Sequence, residues 1–288
     1  IIHDSLTTLK ENNDLYSQVR MLEELTDDIP SYRSMGYLED LKTITSKDLY
    51  DYYLDMINND SVDIFVIGDI DYEEIKKMVN IYLPFKTNKK DNQYHMFTYQ
   101  NVSDEIKFVN EHNDKEQSNL VLGFKIDELS KFDARYVLYI YNYILGGSGD
   151  SNLFKTIREQ YSLCYHINSG MSPVNNTGFI RAGINARDYE ETLSLINIEL
   201  NKMKTGDFNI DKIDSGIKQY INVIKELEDH PENIINKYVN KEYLDSDPTD
   251  VRLEMITHVT KEDIMRVAEH IHLNVIYLLE GRDVFEEE

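Results

Sequence analysis

Leu145-Gly146-Gly147-Ser148-Gly149-Asp150-Ser151-Asn152-Leu153-Phe154-Lys155-Thr156-Ile157-Arg158-Glu159-Gln160-Tyr161-Ser162-Leu163-Cys164-Tyr165 is the stretch whose reading decides the fold. A Gly-rich loop leads into a short amphipathic helix and then into a β-prone segment. Glycines at 146, 147 and 149 permit φ > 0 and close approach to a neighbour. Asp150 or Ser151 offers an N-cap to the helix. Leu153, Phe154 and Ile157 share one apolar face, with Arg158 at its edge. On pattern alone this is a helix start with a solvated arginine.

Working outward, Glu105–Asn110 and Asn119–Ile126 read as strands and Phe132–Leu145 as a helix. Downstream, Leu163–Ser169 and Gly178–Asn185 read as a hairpin around Met171-Ser172-Pro173. Helices follow at 188–204 and 210–228, then one opened by Pro231, one after Pro248, and Thr260–His270. Asn274–Leu279 is the last strand. Toward the N-terminus, 1–26 reads as helix, with Leu15, Val19, Leu22 and Leu25 on one face. The helix through Ile57 turns Leu49, Tyr52, Tyr53 and Met56 inward, Val62–Ile67 is a strand, and Tyr72–Leu83 is a helix.

Leu38-Glu39-Asp40-Leu41-Lys42-Thr43-Ile44-Thr45-Ser46-Lys47-Asp48-Leu49 is echoed by Leu253-Glu254-Met255-Ile256-Thr257-His258-Val259-Thr260-Lys261-Glu262-Asp263-Ile264. Both copies run short helix, Thr-x-x-Asp cap, apolar-faced helix, strand, Gly. An offset of about 215 residues is domain-sized, so the repeat is a duplication. The expected fold is α+β: a two-layer, mixed or antiparallel sheet with helices packed on one face, in duplicated halves of which the first is truncated. Residues 86–102, polar and weakly patterned, read as a linker. The chain begins without Met inside a helical pattern, which suggests a piece of a longer protein.

A formal charge of −23 disfavours phosphate backbones and anionic bilayers, so neither nucleic acid nor membrane is an expected partner. No apolar run approaches the ~20 residues of a membrane span. The single cysteine, Cys164, lies in an apolar run and forms no internal disulfide, which fits a buried thiol and a cytoplasmic setting. Gly146–Gly149 lacks Gly-Lys-Ser/Thr and Gly-x-Gly-x-x-Gly, which argues against a nucleotide cradle. Ser148 and Ser151 lack a Gly-x-Ser-x-Gly setting. His270 and His272 read as residues favoured by a helix C-terminus.

The order strand, strand, helix, Gly-rich loop, helix, hairpin and closing helices resembles one half of a pitrilysin/insulinase-type zinc metallopeptidase. The resemblance covers nearly the whole chain and implies that residues 1–85 are the C-terminal part of an N-terminal half and 103–288 a complete C-terminal half. Its most specific parts are Leu145-Gly146-Gly147-Ser148, Ser151-Asn152-Leu153-Phe154, Ile157-Arg158-Glu159 and Leu163-Cys164-Tyr165. Gln117–Phe124 and Val259–Ile264 also match, whereas Ser148 and Ser162 stand where glycine is usual in the family. The resemblance implies that Arg158 and Tyr165, seven residues apart, contact substrate, with Gly146 and Gly147 in the same binding set.

Members of that family hold zinc with His-x-x-Glu-His. None of the eight histidines (His3, His95, His112, His166, His230, His258, His270, His272) begins or ends such a motif in either orientation. No catalytic residue, metal ligand or cofactor is therefore assigned to this chain; zinc enters only if a parent protein or partner supplies the site. The expectation is a non-catalytic homologue of bacterial type that binds peptide or protein substrate, or completes the chamber of an active partner. A homo- or heterodimer with a family member follows from that expectation. The rivals are a piece of an active endopeptidase whose motif lies upstream, and a structural module that binds no peptide.

Overall fold

The computed structural model describes residues 2–25, 36–83, 85, 105–227 and 229–282. The linker expected at 86–102 lies outside the described residues. In chain order, helices α1 (Ile2–Thr8), α2 (Asn13–Leu25), α3 (Ser46–Asn59) and α4 (Tyr72–Tyr82) precede strands β1 (Lys107–His112) and β2 (Ser118–Ile126). A π-helical turn, Asp133–Val137, runs into α5 (Leu138–Leu145). A second, Phe154–Gln160, precedes the hairpin of β3 (Cys164–Ser172) and β4 (Thr177–Ile184). Helices α6 (Tyr189–Thr205), α7 (Asp211–Leu227), α8 (Pro231–Leu244), α9 (Thr249–Met255) and α10 (Lys261–Glu269) lead to β5 (Ile271–Glu280).

The described residues form two units: those of 1–36, 96–220 and 254–288, and those of 37–95 and 221–253. The first is built on a five-stranded sheet of order β1-β5-β2-β4-β3. β1 runs parallel to β5 and every other pair is antiparallel, so the sheet is mixed. Side chains alternate across it. Leu120 and Leu122 of β2, with Ile180 and Ala182 of β4, share one face and are almost fully buried. The amphipathic helices pack there: α10 turns Ile264, Val267 and Ala268 inward at i, i+3 and i+4.

The opposite face is covered as well. Met21 and Leu25 of α2 pack on Val121, Val275, Tyr277 and Leu279. The buried residues of α2 are Ser17, Met21 and Leu25, and the expected Leu15 and Leu22 are exposed. Polar bonds set this rotation. Arg20 Nε donates to Glu111 Oε1 on β1 at 2.8 Å, and Tyr16 Oη donates to Glu111 Oε2 at 2.9 Å. A hydrophobic pattern by itself does not carry those bonds, so the helix lies turned from its expected face.

The repeat is visible in the caps of two helices, α3 of the second unit and α10 of the first. Thr45 and Asp48 form a reciprocal capping box at α3, and Thr260 and Asp263 form the same box at α10. The helix faces differ. Leu49 is 61% exposed and Tyr52 69%, whereas their counterparts Ile264 and Val267 are at 0%. Tyr53 and Met56, also expected inward, are exposed. Val62–Ile67, expected as a strand, takes no regular secondary structure and joins no ladder among the described residues. α10 packs on α5, α6 and β5, and among the described residues α3 has no sheet to lie on.

Candidate functional site

α5 ends at Gly146, whose N–H, like that of Gly147, donates to the Asn142 carbonyl (3.0 and 2.7 Å). The chain then passes directly against β3. The Gly146 carbonyl accepts from Ser169 N at 3.1 Å, and Ser169 Oγ donates to Asn142 Oδ1 at 2.7 Å. A Cβ at Gly146 would stand 2.6 Å from Ser169 Oγ and 2.9 Å from Ser169 N; at Gly147 it would stand 2.6 Å from Asn142 Nδ2. Close approach is therefore what these glycines supply. The φ > 0 freedom expected of the loop is not used, because none of its glycines takes a positive φ.

The N-cap expected from Asp150 or Ser151 is not formed. The Asp150 carboxylate pairs with Lys155, which holds its carboxyl below the usual range, and the buried Ser151 hydroxyl has no partner. The helix instead widens into i→i+5 bonding, with Tyr161 N donating to Thr156 O at 3.1 Å. Its apolar side buries Leu153 and Ile157 as expected, whereas Phe154, expected on the same face, is only half-buried. Arg158 is exposed on the outer side, its guanidinium stacked 4.8 Å over the Phe154 ring.

Ser162 then takes φ +56, and Leu163 N donates to Ile157 O at 3.0 Å, reversing the chain into β3. Cys164 pairs with Ile184 and His166 with Gly183, which makes Tyr165 the extra residue of a β-bulge. A bulge re-aims the side chain it carries. Tyr165 is 62% exposed, with its hydroxyl 3.5 Å from Asn185 Oδ1. Cys164 between them is buried. Burial pushes its thiol up to about 11, with the Arg158 charge acting weakly the other way. Arg158 and Tyr165 thus flank one tight reversal and are both exposed. Gly146 is buried and Gly147 exposed on the neighbouring loop.

Sequence reasoning missed the polar groups beneath this segment. Glu199 of α6 and Lys212 of α7 are 2% and 7% exposed. Glu199 Oε1 accepts from Thr156 Oγ1 at 2.8 Å, and Lys212 Nζ donates to Asn152 Oδ1 at 2.8 Å. A signal existed. Glu199 falls on the stripe Thr192, Ile196, Met203, and Lys212 on the stripe Gly216, Tyr220, where an apolar residue is the rule. The histidines read as helix-end residues also have a partner: His270 Nδ1 and His272 Nε2 lie 3.3 and 2.9 Å from Asp127 Oδ2.

The fold is a mixed α+β fold of peptidase-like element order, with Arg158 and Tyr165 exposed on either side of one chain reversal. The sequence lacks His-x-x-Glu-His, and among the described residues no group of three His, Cys, Asp or Glu side chains is placed to hold a metal ion. The model of the peptidase M16 inactive domain matches residues 43–220, and the chain belongs to that family. It is 28% identical over 277 residues to the probable inactive metalloprotease YmfF of Bacillus subtilis, covering 93% of this chain. It spans 63% of that relative's length.

Among solved structures, a conserved protein from Enterococcus faecalis superposes with a TM-score of 0.91 at 24% identity, over 98% of this chain and 67% of that one. A peptidase M16 inactive domain from Pseudomonas fluorescens superposes with a TM-score of 0.79 at 17% identity, over 98% and 69%. The α+β class with a mixed sheet expected from the sequence is the one observed, except that α2 covers the sheet face expected to be bare of helices. Among the described residues no helix is long and apolar enough to cross a membrane.

Proposed function

We infer that this chain is a non-catalytic M16 unit that grips an extended peptide segment, of a substrate or of an active zinc-peptidase partner whose chamber it completes. The observation that carries this reading is the bulge at Tyr165, which sets a phenol hydroxyl in solvent beside the reversal that also exposes Arg158. A guanidinium fork and a phenol both donate to peptide carbonyls. Neither side chain contributes to the apolar core, so the fold alone does not account for them. A cytoplasmic setting accords with a lone, buried thiol. A homo- or heterodimer with a family member is the assembly in which such a unit acts.

The test is fluorescence anisotropy with fluorescein-labelled, dephosphorylated β-casein, a chain without a fixed fold. Arg158→Ala combined with Tyr165→Phe is expected to weaken binding by at least about tenfold, the loss of one charge-assisted and one neutral hydrogen bond. Unchanged affinity in the folded double variant would favour a purely structural role for both residues.

A further inference from the structure

Two ionisable side chains lie buried under the Arg158 segment, and the apolar core needs neither of them. Desolvating a charge costs several kcal/mol, and a hydrophobic substitute of similar shape often serves stability as well. Glu199 and Lys212 nevertheless come from different helices, α6 and α7, to the same short strip of chain. Lys212 Nζ holds Asn152 Oδ1, and Glu199 Oε1 holds Thr156 Oγ1, each at 2.8 Å. Residues 152 and 156 are one helical turn apart and share a face.

The surrounding groups complete the clamp. Lys202 Nζ lies 2.8 Å from Glu199 Oε1 and balances its charge. The Asn152 amide faces Met203 Sδ at 3.9 Å, one turn along α6 from Glu199. Burial lowers the Lys212 pKa, with Asp150 above it opposing the shift. Arg158 follows Thr156 by two residues and so leaves the helix on the side away from the clamp. The π-helical widening begins between the two clamped points, at Phe154, the residue whose ring supports the Arg158 guanidinium.

We propose that Glu199 and Lys212 are positioning residues, which fix the 152–156 strip so that Arg158 meets a peptide already oriented. The proposal deepens the reading of Arg158 and Tyr165 as a peptide grip and rests on it. A preorganised donor loses less entropy on binding than one on a loose helix. The clamp supplies that order where the N-cap is missing.

The experiment uses the full chain with Lys212→Met and Glu199→Leu, and Glu199→Gln as the conservative variant that keeps an acceptor for Thr156. Amide hydrogen exchange over 152–161 is read first, without ligand. It is expected to speed up about tenfold in the first two variants and to stay near wild type in Glu199→Gln. Affinity for labelled, dephosphorylated β-casein, measured well below the melting temperature, is expected to fall about fivefold in the same two variants, the worth of one hydrogen bond. If Glu199→Leu does not fold, Thr156→Val removes the same bond from the other side. Exchange over 152–161 that is unchanged in Lys212→Met and Glu199→Leu overturns the proposal. Unchanged affinity in both, while Arg158→Ala weakens binding, overturns it and leaves the grip standing. Wild-type affinity in Arg158→Ala as well removes the grip and the positioning role together.

Discussion

The Gly146 carbonyl accepts the Ser169 amide proton at 3.1 Å, so the Gly-rich loop is fastened to the outer side of β3. β3 is an end strand of the sheet, and an end strand offers bare backbone groups to any chain that can pair with them. One of those groups is taken here by the protein's own loop. Gly146→Ala would drive a methyl group into Ser169, and a loss of about 2 kcal/mol is expected from overpacking at this backbone contact. Gly149→Ala has open space around its Cβ and should change stability by less than about 0.5 kcal/mol. Urea denaturation of the two variants measures the contrast, and equal losses would remove the close-approach explanation.

Ser162 occupies the left-handed region at φ +56, where a side chain costs about 1–2 kcal/mol. The resemblance noted from the sequence puts glycine there, and the backbone explains why. Ser162→Gly should gain about 0.5–1 kcal/mol after allowing for the greater freedom of glycine in the unfolded chain. A lower denaturation midpoint in that variant would contradict this account of the reversal.

Asp127 receives both His270 and His272. Burial alone would raise its carboxyl, but the hydrogen bonds and charges of His272 and then His270 outweigh this and hold its pKa below the usual value. A folded pKa below the unfolded one means stability that is present above pH ~4 and lost as pH falls through the folded pKa. Asp127→Asn should therefore flatten the acid limb of a stability–pH curve while leaving the region above pH ~7 with a similar slope. An unaltered acid limb in the variant would show that the histidine contacts do not form in solution.

The Cys164 thiol, pushed up to about 11 by burial, is nearly all protonated at neutral pH. Titration with a thiol reagent at pH 8 should show no fast reaction in the folded chain and one equivalent after denaturation. Fast labelling of the native protein would mean that the reversal between Arg158 and Tyr165 opens readily.

Much of the fold is legible in the residues, because local chemistry dictates it. Thr45–Asp48 and Thr260–Asp263 announce their capping boxes, and both boxes form. What those helices bury is a tertiary matter: nearly the same pattern is covered at Ile264 and exposed at Leu49. α2 shows a related limit, since Glu111 on a distant strand turns it from its apolar pattern. At the candidate site, Arg158 and Tyr165 are singled out only by the resemblance. The bulge that re-aims Tyr165 depends on register with β4, which no local pattern encodes. Glu199 and Lys212 stood in view as charges on apolar stripes, but their partners at 156 and 152 emerge only from packing.

The central claim is that peptide is held at the reversal between the π-helix and β3. Hydrogen-exchange mass spectrometry of the full chain, with and without dephosphorylated β-casein, locates the contact directly. The account predicts slowed exchange in peptides spanning residues 157–172 and little change in β1. Protection confined to β1, or absent from 157–172 while the casein is bound, would contradict it.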